Sequence, residues 1–213
     1  TWIVVVGILV GSVPLVAANT SCTGAELYSR QTVKYGRWEI RMMAGAKSGT
    51  VSSFFTYYDH SHEGGGEPWR EIDIEILGKN PRSFQSNLIT GTSSARAMSA
   101  LFHDDSDDLS KRFHTFALEW TPDSIVWEID GRRVRKTGSD SQVLALREKP
   151  HSYRMNLWAS AWPEWSGPFD TKTLPACQIV NWIRYQEYTP GKGPGGSNFT
   201  TAWVDDFDSF DEV

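Results

Sequence analysis

Apolar and polar residues alternate along most of this chain, which is the pattern of β-strands that are buried on one side. In the stretch GRWEIRM (36–42), Trp38, Ile40 and Met42 share one face and the charged residues between them share the other. Similar runs recur from Glu26 onward, and we predict strands in TVSSFFTYY, REIDIEIL, SFQSNLIT, HTFALEW, SIVWEI, SYRMNLW, VNWIRYQEY and TAWVDDF. Only VLALRE (143–148) is expected to form a short helical turn.

Turn-forming residues separate these runs. Asp130-Gly131, between SIVWEI and RRVRKT, predicts a tight β-hairpin, and residues 121–123 and 189–198 predict looser connections. A parallel sheet would need crossover helices, which this pattern does not provide. The sequence therefore predicts an all-β fold, a β-sandwich of two packed antiparallel sheets.

The first 18 residues, TWIVVVGILVGSVPLVAA, differ from the rest because they carry no charge and end in small residues. This composition is typical of a secretory signal, so we expect residues 1–18 to be a signal segment and residues 19–213 to form a single β-sandwich domain. A membrane anchor and a buried strand are the alternative interpretations. With a signal removed, the mature protein would be secreted and would have no membrane segment.

The two cysteines, Cys22 and Cys177, have neither metal-site nor redox-motif spacing. In an exported protein we expect them to form a disulfide, and the alternative is two independent buried thiols. The sequons at Asn19 and Asn198 would matter only in a eukaryotic secretory route.

The overall composition narrows the class of protein. A length of 213 residues suits one domain, and a net charge of −5 argues against nucleic acid as a partner. Tryptophan is unusually frequent, with ten residues. We expect Trp38, Trp120 and Trp127 in the core, whereas Trp69, Trp158 and Trp165 lie near polar clusters and are candidates for a binding cleft.

The predicted strand EIDIEIL carries acidic residues at every second position. The isoleucines between them would point into the core, while Glu71, Asp73 and Glu75 would share the opposite face. On an open surface they would form only a solvated acidic face. The predicted neighbouring strands, however, add amides, a cation and an indole, which suit a carbohydrate cleft. These residues are Gln85, Asn87, Arg154, Asn156 and Trp158.

Glycoside cleavage uses two carboxyl groups, one that protonates the leaving oxygen and one that attacks the anomeric carbon or activates water. Glu71 and Glu75 could supply this pair if their strand bends. Asp73 between them would oppose ionisation of all three groups, so that one glutamate keeps a proton near neutral pH. The spacing does not decide which glutamate is the acid.

The stretch EIDIE resembles the Glu-x-Asp-x-Glu pattern of glycoside hydrolase family 16. Longer stretches are similar to the circularly permuted lichenases of that family, which are endo-acting β-1,3-1,4-glucanases. They include GAELYSRQTVKYGRWEIRM, PWREIDIEILGKNPRSFQSNLITG and NWIRYQEYTPGKGPGGSNFTTAWVDDFDSFD, and the resemblance covers nearly all of residues 24–211. It implies a jelly roll with a concave substrate cleft and a retaining endo-glycosidase that hydrolyses mixed-linkage β-glucan. In unpermuted relatives, the segment like FTTAWVDDFDSFD precedes the catalytic strand.

The resemblance also implies roles for individual residues. Glu71 would be the nucleophile, Glu75 the general acid/base, and Asp73 the helper that tunes them. No residue is inserted before Glu75, which favours the lichenase or xyloglucan-acting branches over the laminarinases. By similarity, the residues lining the glucan cleft would be Tyr57, Trp69, Gln85, Asn87, Arg154, Asn156, Trp158 and Trp165.

The sequence departs from the lichenase pattern at Asp59 and His62, where those enzymes show Asn and Glu. This departure leaves the far sugar subsites and the linkage preference open. The family implies no cofactor for catalysis but a structural calcium ion, for which Asn181 and Asp206 occupy the matching places. We expect a monomer whose partner is the polysaccharide substrate.

Two other functions stay open at this point. One is another β-glucan or xyloglucan hydrolase or transglycosylase of the same family. The other is a non-catalytic, lectin-like glycan-binding sandwich, which the three clustered acids argue against because buried anions are costly unless they serve chemistry. The pair His60-x-His62 is interpreted as part of a solvated loop rather than as a metal site.

Overall fold

The chain folds into two antiparallel β-sheets, and this confirms the predicted all-β sandwich. The computed structural model describes residues 2–5 and 23–209. In chain order its strands are β1 (Trp2–Val5), β2 (Ala25–Ser29), β3 (Gly36–Met43), β4 (Thr50–Tyr57), β5 (Glu71–Leu77), β6 (Ser83–Thr92), β7 (Ala95–Met98), β8 (Leu101–Asp104), β9 (His114–Trp120), β10 (Ile125–Ile129), β11 (Arg132–Lys136), β12 (Ser152–Ala159), β13 (Ile179–Tyr188) and β14 (Phe199–Asp205).

The strands divide into a front sheet and a back sheet. The front sheet has the spatial order β1-β2-β12-β4-β5-β6, and β7 and β8 pair with successive parts of the outer edge of β6. The back sheet has the order β11-β10-β9-β3-β13-β14. Neighbouring strands in both sheets run antiparallel, so that short connections suffice between many of them.

The core forms where the inward faces of the two sheets meet. Ile72, Ile74 and Ile76 of β5 are completely buried there, as the alternation along this strand predicted. On β3 the same rule buries the apolar residues and turns Arg37 outward, where it donates hydrogen bonds of 2.8 Å to Glu39 and Glu128 on the outer face of the back sheet. Packing against the back sheet therefore turns the acidic face of β5 away from the core.

The three tryptophans expected in the core, Trp38, Trp120 and Trp127, are completely buried. The indole N–H of Trp127, on β10, donates a hydrogen bond of 2.9 Å to the main-chain oxygen of Asp73 on β5. It thereby bonds the back sheet directly to the acidic strand. The indole N–H groups of Trp38 and Trp120 have no hydrogen-bond partner among the described residues.

The hairpin predicted at Asp130-Gly131 joins β10 and β11. Both turn residues have positive φ angles, 48° and 78°, as a two-residue turn between twisted strands requires. The Asp130 carboxylate also accepts hydrogen bonds from the Thr115 N–H at 2.8 Å and from His114 Nδ1 at 2.7 Å. These contacts fix the hairpin against β9.

The helices in the described residues are short. The helix α1 (Ser141–Leu146) begins slightly before the predicted turn, and the Asp140 carboxylate caps it by accepting a hydrogen bond of 2.9 Å from the Val143 N–H. The helix α2 (Pro163–Ser166) has a single turn. None of these helices is long and apolar enough to cross a bilayer.

The strand β2 was not predicted individually, and two further strands, β7 and β8, were not predicted from the sequence. Each of these two has four residues, most of whose side chains are exposed, so neither has the half-buried alternation from which strands were inferred. The last strand, β14, begins at Phe199, earlier than the predicted run TAWVDDF, and ends at Asp205.

Some sequence-based predictions fall outside the described residues. Of the predicted signal segment, only residues 2–5 are described, and they form β1, which pairs with β2. Asn19 and Cys22 lie outside the described residues. Cys177 is exposed, which does not fit the alternative of a buried thiol. The signal segment and the disulfide stay predictions.

We expect Trp127→Phe to lower the free energy of unfolding by about 1 kcal/mol more than Trp120→Phe does. Both changes remove the same atoms from a fully buried site, so the packing losses should be similar, but only Trp127 also loses a hydrogen bond. Urea unfolding followed by circular dichroism measures the difference. Equal losses in the two variants would contradict the contact with Asp73.

Candidate active site

The strand β5 crosses the middle of the front sheet between β4 and β6, and its acidic residues point outward. The antiparallel register sets a row of side chains across each acid. The three rows are Tyr57–Glu71–Ile89, Phe55–Asp73–Asn87 and Ser53–Glu75–Gln85. Aromatic and amide groups therefore flank the acids on both sides.

Glu71 is held at the start of β5 by its neighbours. The Trp69 indole N–H donates a hydrogen bond of 2.6 Å to Glu71 Oε2, and the Arg96 guanidinium lies 4.7 Å from the centre of the Trp69 ring. Burial raises the pKa of Glu71, while the hydrogen bonds from Trp69 and Asp73 and the charge of Arg96 oppose this rise. These neighbours favour the ionised carboxylate, the form that a nucleophile needs.

Asp73 is only 3% exposed, and its Oδ2 is buried without a hydrogen-bond donor among the described residues. Burial raises its pKa well above the ordinary value, and the charges of Glu71 and Glu75 raise it further. Both effects favour the protonated form of this carboxyl group. It can then donate that proton in a hydrogen bond to Glu71 and stabilise the neighbouring carboxylate.

Glu75 is bound by an amide whose orientation is fixed. Gln85 Nε2 donates a hydrogen bond of 3.0 Å to Glu75 Oε2, and the Trp165 indole N–H donates one of 3.0 Å to Gln85 Oε1. Burial and then the charge of Glu71 raise the pKa of Glu75 to about 8, against the opposing effect of Gln85. Glu75 is therefore protonated at neutral pH, which suits a general acid.

A cavity of about 440 Å³ opens on the outer face of the front sheet, on the β4, β12 and β2 side of the acids. Its lining includes Tyr28, Phe55, Tyr57, Arg154, Asn156 and Trp158. Burial, and next the charge of Glu71, raises the pKa of Tyr57 to about 12, so its hydroxyl stays protonated. The cavity thus combines aromatic faces with hydrogen-bonding groups, as carbohydrate sites do.

Arg154 is the cation of this cavity, and five neighbours fix its position, one of them Ser152, whose hydroxyl accepts a hydrogen bond of 2.9 Å from Arg154 Nε. Arg154 also donates hydrogen bonds of 2.8 Å to Glu26 and 2.7 Å to Asp59. Its guanidinium lies 4.9 Å from the centre of the Tyr57 ring and 5.1 Å from that of Tyr28. Because Glu26 and Asp59 both bind Arg154, its positive charge is already paired. Arg154 therefore forms a preorganised polar wall of the cavity.

The eight residues predicted to line a glucan cleft all lie on or beside this face. Tyr57, Gln85, Asn87, Arg154, Asn156 and Trp158 belong to strands of the front sheet and share the face of the acids. Trp69 lies just before β5, and Trp165 lies in α2 with its ring centre 5.9 Å from that of Trp158. Their roles in substrate binding stay predictions.

Several residues of this face were missed or misjudged from the sequence. Glu26 was missed, although the need of a half-buried Arg154 for a carboxylate partner was a possible signal. Arg96 gave no signal, because it lies on β7, which was not predicted. Asp59, noted only as a departure from the lichenase pattern, binds Arg154. His62 is exposed, as expected of a solvated loop, but it also lines the cavity.

The residues suggested for calcium lie at the far end of the back sheet. Asn181 is on β13, and Asp206 directly follows β14, whose last residue, Asp205, pairs with Ile183. Calcium takes about six to eight oxygen ligands. Two side chains do not supply such a set, and the described part of the chain contains no cluster of three or more His, Cys, Asp or Glu residues suited to a metal ion. The calcium ion stays a prediction.

Comparison with known proteins gives consistent matches. The family model described as glycosyl hydrolases family 16 matches residues 10–184. A beta-glucanase of Fibrobacter succinogenes is 49% identical over 189 residues, which are 89% of this chain and 54% of that protein. A beta-glucanase of Brevibacillus brevis is 35% identical over 161 residues, 75% of this chain and 59% of that protein. The chain thus spans little more than half the length of these relatives.

Solved structures share the fold. The beta-glucanase of Bacillus licheniformis superposes with a TM-score of 0.64 at 33% identity, over 76% of this chain and 70% of that chain. A prokaryotic β-1,3-1,4-glucanase, or lichenase, derived from a mouse hindgut metagenome superposes with a TM-score of 0.65 at 32% identity. The superposition covers 81% of this chain and 75% of that chain. The laminarinase catalytic domain of Thermotoga maritima superposes with a TM-score of 0.63 at 22% identity, over 76% of this chain and 68% of that chain. At this identity the match supports a shared fold and no shared function.

We expect Glu71→Gln to lower the pKa of Glu75 from its value of about 8, because the neighbouring charge disappears while the burial remains. Titration of the side-chain carboxyl carbon by NMR measures the shift without requiring catalysis. Glu187→Gln, which changes an exposed glutamate of the back sheet, is the matched control and should leave the pKa of Glu75 unchanged. A pKa of Glu75 that does not fall in Glu71→Gln would contradict the coupling of the two groups.

Proposed function

Because the chain belongs to the glycosyl hydrolases of family 16, we propose that it is a retaining endo-glycosidase that hydrolyses mixed-linkage β-1,3-1,4-glucan. The observation that carries this proposal is the row Glu71–Asp73–Glu75 on one face of β5, where burial raises the pKa of all three carboxyl groups while Trp69 and Arg96 favour the ionised form of Glu71 alone. Crowding three carboxyl groups in this way costs folding free energy, and carboxyl groups with such perturbed pKa values are typical of catalytic sites.

The proposed reaction is a double displacement. A carboxylate oxygen of Glu71 forms a bond to the anomeric carbon while the bond from that carbon to the departing sugar oxygen breaks. That oxygen takes the proton of Glu75. In the second step Glu75 removes a proton from water, the water oxygen bonds to the anomeric carbon, and the bond to Glu71 breaks. Asp73 keeps its proton and its hydrogen bond to Glu71 throughout the cycle.

The cavity beside the acids supports a glucan substrate. The rings of Tyr57 and Trp158 offer apolar faces for the C–H groups of sugar rings, and Arg154 and Asn156 offer partners for hydroxyl groups. Two relatives with solved structures, at 33% and 32% identity, are described as a beta-glucanase and as a β-1,3-1,4-glucanase. Mixed-linkage glucan is therefore the substrate that the cavity and these relatives together favour.

We also propose that the protein is secreted and acts as a monomer. A glucan polymer cannot enter a cell intact, so an enzyme that cuts it internally has to meet it outside, and the apolar segment 1–18 has the composition of an export signal. The permuted order of segments is likewise a proposal. It is supported by β14, which follows the catalytic strand in sequence and pairs with β13.

A panel of polysaccharides tests the proposed function. We expect mixed-linkage glucan to be cut far faster than laminarin, xyloglucan or carboxymethyl cellulose, and NMR at early times should show β-anomeric products. Faster cleavage of xyloglucan or laminarin would reject the proposed linkage preference, and α-anomeric first products would reject retention. Binding without cleavage of any of the four would favour a lectin-like protein.

The proposed nucleophile has its own test. Glu71→Ala should lose activity by at least about 1,000-fold, and added azide should restore turnover by entering the vacated space and forming an α-glycosyl azide. Mass spectrometry and NMR detect that product. The control is Glu26→Ala, which changes a carboxylate of the cavity instead, and it should give no azide adduct. A Glu71→Ala variant that yields no such adduct, or keeps its activity, would contradict the assignment.

A further inference from the structure

Large apolar side chains stand exposed on β7 and β8, along the edge of the front sheet. Met98 is 65% exposed, Leu101 51% and Phe102 55%. Scattered apolar residues on a surface are ordinary, but a group on two adjoining short strands beside a candidate active site is typical of a binding surface.

The register places two of these side chains on the face of the acids. Met98 lies in the row of Glu71, and Phe102 lies in the row of Glu75, each two strands away through β6. At the usual strand spacing this is about 10 Å from the acids. Leu101, although next to Phe102 in sequence, points to the opposite face because successive strand residues alternate. We call Met98 and Phe102 the apolar shelf.

The connection between β7 and β8 is firmly held. The Ser99 N–H donates a hydrogen bond of 3.2 Å to Asn87 Oδ1 on β6. Arg135 of the back sheet donates hydrogen bonds of 2.8 Å to the main-chain oxygen of Ser99 and 2.7 Å to its hydroxyl. The backbone between the two shelf residues is therefore fixed relative to β6 before any ligand binds, which lowers the entropic cost of binding.

The shelf and the 440 Å³ cavity lie on opposite sides of the acids. A polymer that is cut internally extends past the acids on both sides, so it has to cross the β6 side as well as the cavity. Glu75, which would give its proton to the departing sugar, is bound by Gln85 of β6. We therefore assign the β6 side to the leaving part of the chain.

On the basis of the proposed function, we propose that the apolar shelf, whose two side chains lie in rows about 13 Å apart along β6, is a binding subsite for glucosyl residues of the leaving part of the glucan. The faces of β-linked glucosyl rings are lined by C–H groups, which pack well against a phenyl ring and a thioether. At its distance from the acids, the shelf lies beyond the unit that is joined directly to the scissile oxygen. It would thus raise the affinity for long leaving groups.

Paired substrates test the shelf. In the double variant Met98→Ala/Phe102→Ala we expect kcat/KM on mixed-linkage glucan to fall about tenfold, as lost ring packing would cause. An aryl β-glycoside of a glucan trisaccharide has only an aryl leaving group, which does not reach the shelf, so its kcat/KM should hardly change. Leu101→Ala is the matched control, because it removes an equally exposed side chain from the other face, and it should leave both substrates unaffected.

A binding measurement separates the shelf from the chemistry. In the Glu71→Gln background, isothermal titration with mixed-linkage oligosaccharides that are long enough to cross both sides should show about tenfold weaker binding when the shelf is removed. If the chain binds these oligosaccharides but cleaves none, the proposed hydrolysis fails while this comparison still decides the role of the shelf.

Three outcomes would overturn the subsite. If kcat/KM of the double variant fell equally on the polymer and on the aryl glycoside, Met98 and Phe102 would have a structural role only. If Leu101→Ala lowered kcat/KM on the polymer as much as the double variant does, the loss would reflect a general disturbance of this sheet edge. Unchanged polymer cleavage and unchanged oligosaccharide binding in the double variant would show that the glucan does not touch the shelf. If size-exclusion chromatography then revealed a dimer that the double variant breaks, the shelf would be a contact between two copies.

Discussion

Three carboxyl groups on one face of a single buried strand cannot all carry a charge, and the rest of the site depends on this constraint. Glu71, Asp73 and Glu75 are neighbours on the same side of β5, and burial raises the pKa of each. With a pKa of about 8, Glu75 keeps a proton in this row at neutral pH. The surrounding residues decide where the protons of the row lie, and this choice sets which group can attack and which can donate.

The two glutamates have different hydrogen-bond and charge environments. Glu71 accepts a hydrogen bond from Trp69 and lies near the charge of Arg96, both of which favour its ionised form. Glu75 accepts a hydrogen bond from the Gln85 amide and has a pKa of about 8. Two chemically identical glutamates thus differ in how readily they ionise because their surroundings differ, which supports the roles proposed for them.

Much of the fold could be predicted because alternation in sequence translates directly into opposite faces of a strand. This rule placed Ile72 in the core and Glu71 outside, and the Asp130-Gly131 turn was recognisable because positive φ angles favour such pairs. The rule failed for β7 and β8, because most of their residues are exposed on both faces of the strand. Such strands need not alternate apolar and polar residues. Arg96 was missed for the same reason.

The sequence by itself determined that three acids share one face of one strand, and that amides and aromatic rings lie on strands able to join them. Only the tertiary structure decided that Gln85 binds Glu75, that Arg96 lies over Trp69, and that Glu26 and Asp59 bind Arg154. The physical reason is that burial and electrostatic coupling depend on distances between strands that are far apart in the chain. Alternation within a strand sets the face of a side chain, but strand pairing sets its neighbours.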